Sequence, residues 1–401
     1  MNRRNFLTAS SAALTTLSSA GWSWAKDSPK DIRITRAIGF DLVSKRCKMA
    51  GKNSRLDVHG EQATDRMVRL FTNTGQEGFG NCRAAQEAVA SLLGKNPFDF
   101  FQPQEKSMKG PLGSQTMALW DLVGKIQKKP VFALLGGKGP GRVPVYDGSI
   151  YFADLLPQYA DRWEARFAEE IELGLKRGHR AFKIKIGRGA KWMPLEEGFE
   201  RDKAVVRLIH RHAGPDILLG VDANNGYDLA RSKRFVSDLG DIPLAWLEEL
   251  FPEQVDQCLE LKAFIAEHHW KSLLADGETE SSLDAFRPFL AAKAIDIYQG
   301  DMNRFGLEGI LSEAAMAAQA GALVAPHNWG SLIGFYEMLH LGLVLPNFYR
   351  AENDPLDSEI VEAEGISIRN GLAEVSNAPG FGLKINEQKF ATMIKPRFDL
   401  K

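Results

Sequence analysis

The sequence predicts an α/β fold in which a closed barrel of parallel strands, over residues 143–355, is joined to a smaller α+β domain. Short apolar runs typical of strands alternate with longer amphipathic stretches typical of helices, which is the pattern of parallel strands linked by crossover helices. Eight such runs occur, and eight repeats of this unit favour a closed barrel over an open sheet. In chain order they are VPVYDGSI, AFKIKIG, ILLGVDAN, LAWLEEL, SLLADGE, IDIYQGDM, ALVAPHN and FYRAEN.

Residues 31–135 follow a different pattern. The stretches DIRITRAIGFDLVS and MVRLFTNTGQEGFGN are typical of antiparallel strands with a Gly-rich turn, whereas GSQTMALWDLVGKIQ has the spacing of an amphipathic helix. Residues 365–401 return to strand and turn patterns. We therefore predict one α+β domain built from both ends of the chain, with the barrel between them.

Composition excludes several classes of partner. The chain has 401 residues, with 50 Lys and Arg against 51 Asp and Glu, so it carries no net basic field that would attract nucleic acid or an anionic membrane surface. Its three cysteines, Cys47, Cys82 and Cys258, have neither metal-binding spacing nor an even disulfide framework. We expect a small-molecule partner.

The first 25 residues resemble a twin-arginine export signal. Arg3 and Arg4 precede a mildly apolar run without acids, and small residues follow as far as Ala25. The run is too short and too rich in Ser and Thr to span a membrane. The pattern predicts export to the periplasm, or a cytoplasmic protein if the signal does not function.

Polar side chains end seven successive runs of the predicted barrel. Barrel enzymes place their chemistry at the carboxyl ends of their strands, and a buried core gives no reason for such repetition. Strand alternation also turns both lysines of FKIKIG to one face. The residues are Lys183 and Lys185, Asp222, Glu248, Glu278, Asp301, His327 and Glu352.

Three of these residues predict a metal site. Asp222, Glu248 and Glu278 end three consecutive runs, so their carboxylates would converge and repel one another. A hard divalent cation with oxygen ligands removes that conflict, and we expect one Mg²⁺ per subunit. The adjacent Glu249 is an alternative ligand, but alternation favours Glu248 because it shares a face with Trp246.

The motifs FKIKIG, VDANNGY, WLEEL, DGE, GDMNRFG and APHN, in this order, resemble the enolase superfamily and within it the mandelate racemase subgroup. The resemblance covers nearly all of the chain from about residue 31. It implies a modified TIM barrel, (β/α)7β, with an N-terminal α+β capping domain that the C-terminal segment completes. Members that resemble muconate cycloisomerases or dipeptide epimerases carry a lysine base on the sixth strand. Here Asn303 and Arg304 follow that strand, which favours the racemase-like subgroup.

The resemblance also implies roles for the strand-end residues. Asp222, Glu248 and Glu278 would bind magnesium. Lys185 would be a base on one face of the substrate, and the Asp301–His327 dyad would lie on the opposite face.

Three further residues would contact the substrate. Lys183 would bind its carboxylate and lower the pKa of Lys185, towards about 7 to 8 when a divalent ion is also present. Glu352 would donate a hydrogen bond near the same carboxylate, and Asn224, two residues past the first metal ligand, would also touch the substrate.

The predicted reaction is proton abstraction next to a carboxylate through an enediolate, which requires fixed positive charge where the new negative charge appears. Dehydration of an acid sugar is the expected outcome. Racemisation or epimerisation of a 2-hydroxy acid is the alternative, and a non-catalytic sugar-acid binding protein is a remote one. We expect a homo-oligomer, with residues 45–62 and 74–83 as lids. In these lids, the patterns of His59 and Arg83 fit either contact with a polyhydroxy substrate or solvated loop residues, so neither is assigned to the site.

Overall fold

The first part of the described chain forms an antiparallel sheet covered by short helices. The computed structural model describes residues 31–401, so the predicted export signal lies outside the described residues. The strands are β1 (Ile34–Ala50), β2 (Gly60–Thr72), β3 (Glu77–Asn81), β4 (Phe101–Gln102) and β5 (Ser107–Met108). The helices are α1 (Gln86–Ala90), α2 (Met117–Gln127) and α3 (Val131–Leu134). Strands β1, β2 and β3 pair in sequence order, and α2 lies so close to β3 that a Cβ on Gly78 would fall 2.3 Å from the backbone nitrogen of Leu122.

Eight parallel strands form the closed barrel that the sequence predicts. They are β6 (Gly141–Ile150), β7 (Ala181–Lys185), β8 (Leu218–Asp222), β9 (Leu244–Glu248), β10 (Leu273–Asp276), β11 (Ile297–Tyr298), β12 (Leu323–Val324) and β13 (Ala351–Asn353). Neighbouring strands pair in chain order from β6 to β12, and β13 pairs with β6. The remaining gap is bridged because the Tyr349 N–H donates a hydrogen bond of 2.8 Å to the carbonyl of Val324.

Seven helices connect these strands, one in each interval, which gives the predicted (β/α)7β order. They are α4 (Trp163–Lys176), α5 (Leu195–Ala213), α6 (Leu229–Asp238), α7 (Val255–Glu267), α8 (Arg287–Ala291), α9 (Met302–Ala320) and α10 (Leu332–Gly342). Short 3₁₀ turns also occur at Pro97–Asp99, Ala153–Leu155, Pro157–Arg162, Arg188–Ala190 and Leu283–Phe286.

Successive side chains of β7 point alternately to the outer hydrophobic core and into the barrel. Phe182 and Ile184 are fully buried in the layer between strands and helices, in one cluster with Phe167 of α4. Lys183 and Lys185 face the other way and are also buried, with 1% and 3% of their surface exposed. The apolar positions anchor the strand, and the same period of two forces both ammonium groups into the barrel.

The C-terminal segment pairs with both sheets. Its strands are β14 (Leu356–Asp357), β15 (Val361–Ala363), β16 (Ser367–Arg369), β17 (Leu372–Val375), β18 (Leu383–Ile385) and β19 (Phe398–Leu400), and its helix is α11 (Glu387–Met393). Strands β14 and β19 pair with β1, whereas β17 pairs with the beginning of β6. The segment therefore ties the small sheet to the barrel.

The connection between β1 and β2, residues 51–59, is named the capping loop here because it lies on the barrel. The Phe152 N–H donates to the Lys52 carbonyl at 2.9 Å. The Ser54 hydroxyl donates to the Ala223 carbonyl at 2.6 Å, just after β8. The small domain is thus held against the carboxyl ends of the barrel strands.

Two negative findings apply to residues 31–401. Within that range, no helix combines the length and the apolar character that crossing a bilayer requires. Cys47, Cys82 and Cys258 are all free thiols.

Candidate active site

The structure brings together every strand-end residue that the sequence singles out. Lys183 and Lys185 lie on β7, Asp222 ends β8, Glu248 ends β9, Glu278 lies two residues past β10, Asp301 follows β11, His327 follows β12, and Glu352 lies on β13. Ion-pair contacts link all of these side chains into one network.

The three acids form a group of the size that one cation needs. Asp222, Glu248 and Glu278 each offer a carboxylate oxygen, and these oxygens lie within 4.8 Å of one another. The second oxygen of Glu248 accepts hydrogen bonds from Trp246 Nε1 at 3.1 Å and Gln299 Nε2 at 2.9 Å. Among the described residues, Glu278 Oε2 is buried and has no hydrogen-bond partner.

The pKa of Glu248 reflects its burial among other carboxylates. Burial, followed by the neighbouring carboxylates of Asp222 and Glu278, raises the pKa of Glu248 to about 8, although Lys183 acts to lower it. An all-oxygen donor set with one unsatisfied buried oxygen fits a hard divalent cation such as Mg²⁺.

The two lysines lie on one side of this group. Lys183 Nζ is 2.5 Å from Glu248 Oε1, 2.9 Å from Glu352 Oε1 and 3.4 Å from Asp222 Oδ2. Lys185 pairs with Asp222, and its ammonium donates to Asn224 Oδ1 at 2.9 Å. Burial acts to lower the pKa of Lys185, but the carboxylates around it, led by Asp222, outweigh burial and hold that pKa above its usual value. This differs from the lowered pKa expected with a divalent ion, because in this structure Lys185 itself neutralises Asp222.

The His–Asp dyad contacts the acid group through Glu278. His327 Nδ1 is 2.7 Å from Asp301 Oδ2, and His327 Nε2 is 3.5 Å from Glu278 and 4.0 Å from Glu352. Burial acts to lower the pKa of His327, but Glu278, Asp301 and Glu352 together raise it to about 10. Asp301 is held in place because its other oxygen caps helix α9, accepting the Arg304 N–H at 2.7 Å.

Glu249 belongs to a second acidic group that adjoins the first, since Asn224 Nδ2 donates to both Glu249 and Glu278. The backbone of Glu249 has φ of 41°, in the left-handed region, and its carboxylate lies with Glu253 and Asp276 in this second group, whose oxygens are within 4.8 Å of one another. The structure therefore places Glu248, not Glu249, with Asp222 and Glu278.

Asn224 lies at the site, but its amide is occupied by protein groups. Its oxygen accepts from Lys185, and its nitrogen donates to Glu249 at 3.0 Å and Glu278 at 3.4 Å. This geometry orients Lys185. Substrate contact by Asn224 stays a prediction.

Sequence reasoning missed several neighbours of this group. Gln299 and Trp246 hold Glu248, and both precede strand-end residues that the sequence singled out. Tyr151 and Trp329 stack with ring centroids 4.4 Å apart, and Lys185 Nζ lies 5.2 Å from the Tyr151 ring. Tyr151 directly follows β6, the first barrel strand. Examining the carboxyl end of this strand, as was done for the other seven, would have identified Tyr151.

The chain is similar to known proteins in both sequence and fold. A family model described as "Enolase C-terminal domain-like" matches residues 166–389. Galacturonate dehydratase from a Geobacillus species, solved with D-galacturonate and 5-keto-4-deoxy-D-galacturonate, is 30% identical with a TM-score of 0.83, over 93% of this chain and all of that one. A mutant of that enzyme complexed with Mg gives a TM-score of 0.85 at 30% identity, over 94% of this chain and 99% of that one. Arabinonate dehydratase from Saccharolobus solfataricus is 31% identical over 68% of this chain and 69% of its own length.

Proposed function

Since the chain belongs to the enolase superfamily, in its mandelate racemase subgroup, we propose that it is a magnesium-dependent acid-sugar dehydratase. One observation carries the proposal. Three converging carboxylates contact a lysine pair through Asp222 and Glu248, and they contact a His–Asp dyad through Glu278. That arrangement suits removal of a proton next to a substrate carboxylate and departure of a hydroxyl from the adjacent carbon.

Asp222, Glu248 and Glu278 would hold the magnesium ion, since their oxygens converge and the buried Glu278 Oε2 accepts no hydrogen bond from the described residues. When bound, Mg²⁺ supplies the positive charge that an anionic substrate and its more negative enediolate require.

The chain's own residues move the protons. Lys185 takes the α-proton, and the electrons of that C–H bond form the enediolate. His327, held by Asp301, gives a proton to the departing hydroxyl on the neighbouring carbon, so that the C–O bond breaks and water leaves. The resulting enol becomes a keto-deoxy acid. Lys183 binds the substrate carboxylate. Burial acts to raise the pKa of Glu352, but Lys183, in contact at 2.9 Å, and His327 hold that pKa below its usual value, so Glu352 would donate a hydrogen bond to the substrate only once it is protonated.

Isotope exchange tests these roles. The purified protein with Mg²⁺ is incubated with acid-sugar salts in deuterated water, and α-deuterium and the keto-deoxy product are measured. Lys185→Met is expected to lose both exchange and turnover, because no base is left on that side. His327→Asn is expected to lose turnover while exchange through Lys185 continues.

The matched control is Lys271→Met, at the opposite end of the barrel just before β10, which is expected to behave as wild type. Exchange that persists in Lys185→Met would contradict the assignment of the base. Binding of sugar acids without exchange or turnover in the wild type would support a non-catalytic binding protein instead.

A racemase or epimerase is the second candidate, because Lys185 and His327 contact different members of the acid group, Asp222 and Glu278, and would serve as bases on opposite faces of one carbon. Product analysis separates the two reactions. Dehydration gives a keto-deoxy acid, whereas epimerisation returns an acid of the same formula with inverted configuration.

Export and assembly stay predictions. Replacing Arg3 and Arg4 by Lys is expected to retain the protein in the cytoplasm, as cell fractionation would report. Light scattering of the purified protein would give the number of subunits in the predicted homo-oligomer.

A further inference from the structure

Three aromatic rings form a surface beside the two bases, named the ring wall here: His59 of the capping loop, Tyr151 after β6 and Trp329 after β12. The ring centroids of His59 lie 4.6 Å from Tyr151 and 5.7 Å from Trp329. Tyr151 and Trp329 stack at 4.4 Å. The ring wall adjoins Lys185, whose Nζ is 5.2 Å from the Tyr151 ring centroid, and Trp329 lies two residues past His327.

The tautomer of His59 follows from its partner. Trp329 Nε1, which can only donate, lies 3.2 Å from His59 Nδ1, so Nδ1 must accept. The neutral imidazole then carries its proton on Nε2. Burial first, then the charges of Lys185 and Arg46, lower the pKa of His59 to about 4, so the ring is neutral near pH 7. Among the described residues, the buried Nε2 has no hydrogen-bond partner.

The cation that stacks on the ring wall, the Arg46 guanidinium, is already paired with other groups of the protein. Arg46 lies 4.7 Å from the Trp329 ring, but its Nε donates to both oxygens of Asp354 at 3.1 and 3.0 Å. One terminal nitrogen pairs with Asp354 at 2.8 Å, and the other donates to the Gln62 carbonyl at 2.6 Å. The ring wall therefore offers aromatic faces and one unused N–H donor, and its cation is neutralised.

We propose that the ring wall is the subsite for the uncharged, hydroxyl-bearing end of a sugar mono-acid, with His59 Nε2 donating to a hydroxyl of that end. This inference rests on the proposed function and narrows its substrate class to aldonates and uronates. Aromatic faces accept the C–H surface of a sugar. A second carboxylate placed there would meet only cations that are already paired, Arg46 with Asp354 and Lys185 with Asp222, so its burial is costly and aldarates are disfavoured.

The first experiment compares three acids of one carbon skeleton that differ in their terminal groups: D-galactonate, D-galacturonate and galactarate. Binding to the magnesium-loaded protein is measured by titration calorimetry, and turnover is measured in parallel. At least one mono-acid is expected to exceed the di-acid by about 10-fold or more in affinity and in kcat/KM. The same comparison is made with D-gluconate and glucarate.

Variants of His59 then test the donor. Asn places its amide oxygen where Nδ1 lies and can accept from Trp329, but it has no group at the Nε2 position. Gln reaches that position with its amide nitrogen. We expect His59→Asn to raise KM for the preferred mono-acid about 10-fold with a smaller change in kcat, and His59→Gln to recover most of the loss. The control is Val58→Ala, the exposed neighbour in the same loop, which is expected to match wild type.

The outcomes separate this inference from the proposed function. Turnover that favours galactarate and glucarate, or a His59→Asn variant that matches Val58→Ala, overturns the ring-wall assignment and leaves the dehydratase intact. Preferential binding of mono-acids without exchange or turnover supports the subsite and contradicts the dehydratase. If none of the five acids binds, the substrate-class inference is overturned.

Discussion

Two regions enclose the candidate site, and they contribute opposite chemistry. The barrel strand ends bring charged groups into a buried network, in which Lys183 and Lys185 contact Asp222, Glu248 and Glu352. The capping loop contributes His59, a neutral ring with one unused N–H. Under the proposed function, proton transfer would belong to the strand ends, and recognition of the distal part of the substrate would belong to the loop.

The two regions also differ in how they are held. Strand-end residues are fixed by the parallel ladder, in which Lys185 lies opposite Asp222 and Asp222 lies opposite Glu248. The capping loop reaches the barrel through a smaller set of contacts, including the Ser54 hydroxyl and the backbone of Lys52. A change at a strand end should therefore affect kcat, and a change in the loop should affect KM.

The largest effect is expected from Asp301→Asn. This change removes the negative charge that favours the protonated form of His327, and the new amide can also change which ring nitrogen of His327 carries the proton. We therefore expect kcat to fall by roughly 10²- to 10⁴-fold. Exchange of the α-proton through Lys185 should fall much less. Turnover and exchange assays in deuterated water measure both quantities.

The matched control for this prediction is Asp284→Asn, an exposed acid paired with Arg287 on the surface. Equal losses of turnover and of exchange in Asp301→Asn would contradict the assignment of the two proton transfers to separate sides of the site.

A smaller effect is expected from Ser54→Ala, which cuts the link between the two regions. The hydroxyl donates to the carbonyls of Ala223 and Asn224 at 2.6 and 3.2 Å, and Asn224 and Asn225 are held with φ of 41° and 61°. Losing this buried donor should cost about 1–2 kcal/mol of stability and raise KM several-fold, at about the same kcat.

Hydrogen exchange at residues 223–226 should become faster in Ser54→Ala. Ser91→Ala, an exposed serine of the same domain, serves as the control. A fall in kcat with unchanged KM would show that the capping loop belongs functionally with the strand ends.

The smallest effect on activity is expected from Glu313→Gln, a buried acid of α9 outside the site. Burial raises the pKa of Glu313 to about 8, and only the Gly300 N–H opposes that shift. Because the folded-state pKa exceeds the unfolded one, this group adds stability at low pH that is lost as the pH rises towards 8.

Chemical unfolding between pH 5 and pH 9 measures this dependence. The wild-type free energy of unfolding should fall more steeply than that of Glu313→Gln, by about 1.4 kcal/mol per pH unit at most. Glu267→Gln, an exposed acid of α7, is the control. Identical slopes in wild type and Glu313→Gln would contradict the raised pKa.

The placement of the strand-end residues could be predicted from sequence because local rules determine it. Alternation in FKIKIG fixes the faces of Lys183 and Lys185, and chain order fixes which strands are neighbours. Alternation also selected Glu248 over Glu249, and the carboxylate of Glu249 lies instead with Glu253 and Asp276.

The contacts around the capping loop could not be predicted in the same way. Neutralisation of Arg46 depends on Asp354, which is 308 residues away in sequence, and the tautomer of His59 depends on Trp329, 270 residues away. No local pattern carries such pairings. The occupied amide of Asn224 and the pairing of β17 with β6 also arise only once the chain has folded.

Metal binding tests the central claim most directly. The purified chain is titrated with Mn²⁺, a paramagnetic substitute for Mg²⁺, and the bound ions are counted by electron paramagnetic resonance. We predict one ion per chain in the wild type and in Glu249→Gln, and at least about a 10-fold weaker affinity in Glu248→Gln. Unchanged affinity in Glu248→Gln, or an ion lost only in Glu249→Gln, would contradict the assignment of the cation to Asp222, Glu248 and Glu278.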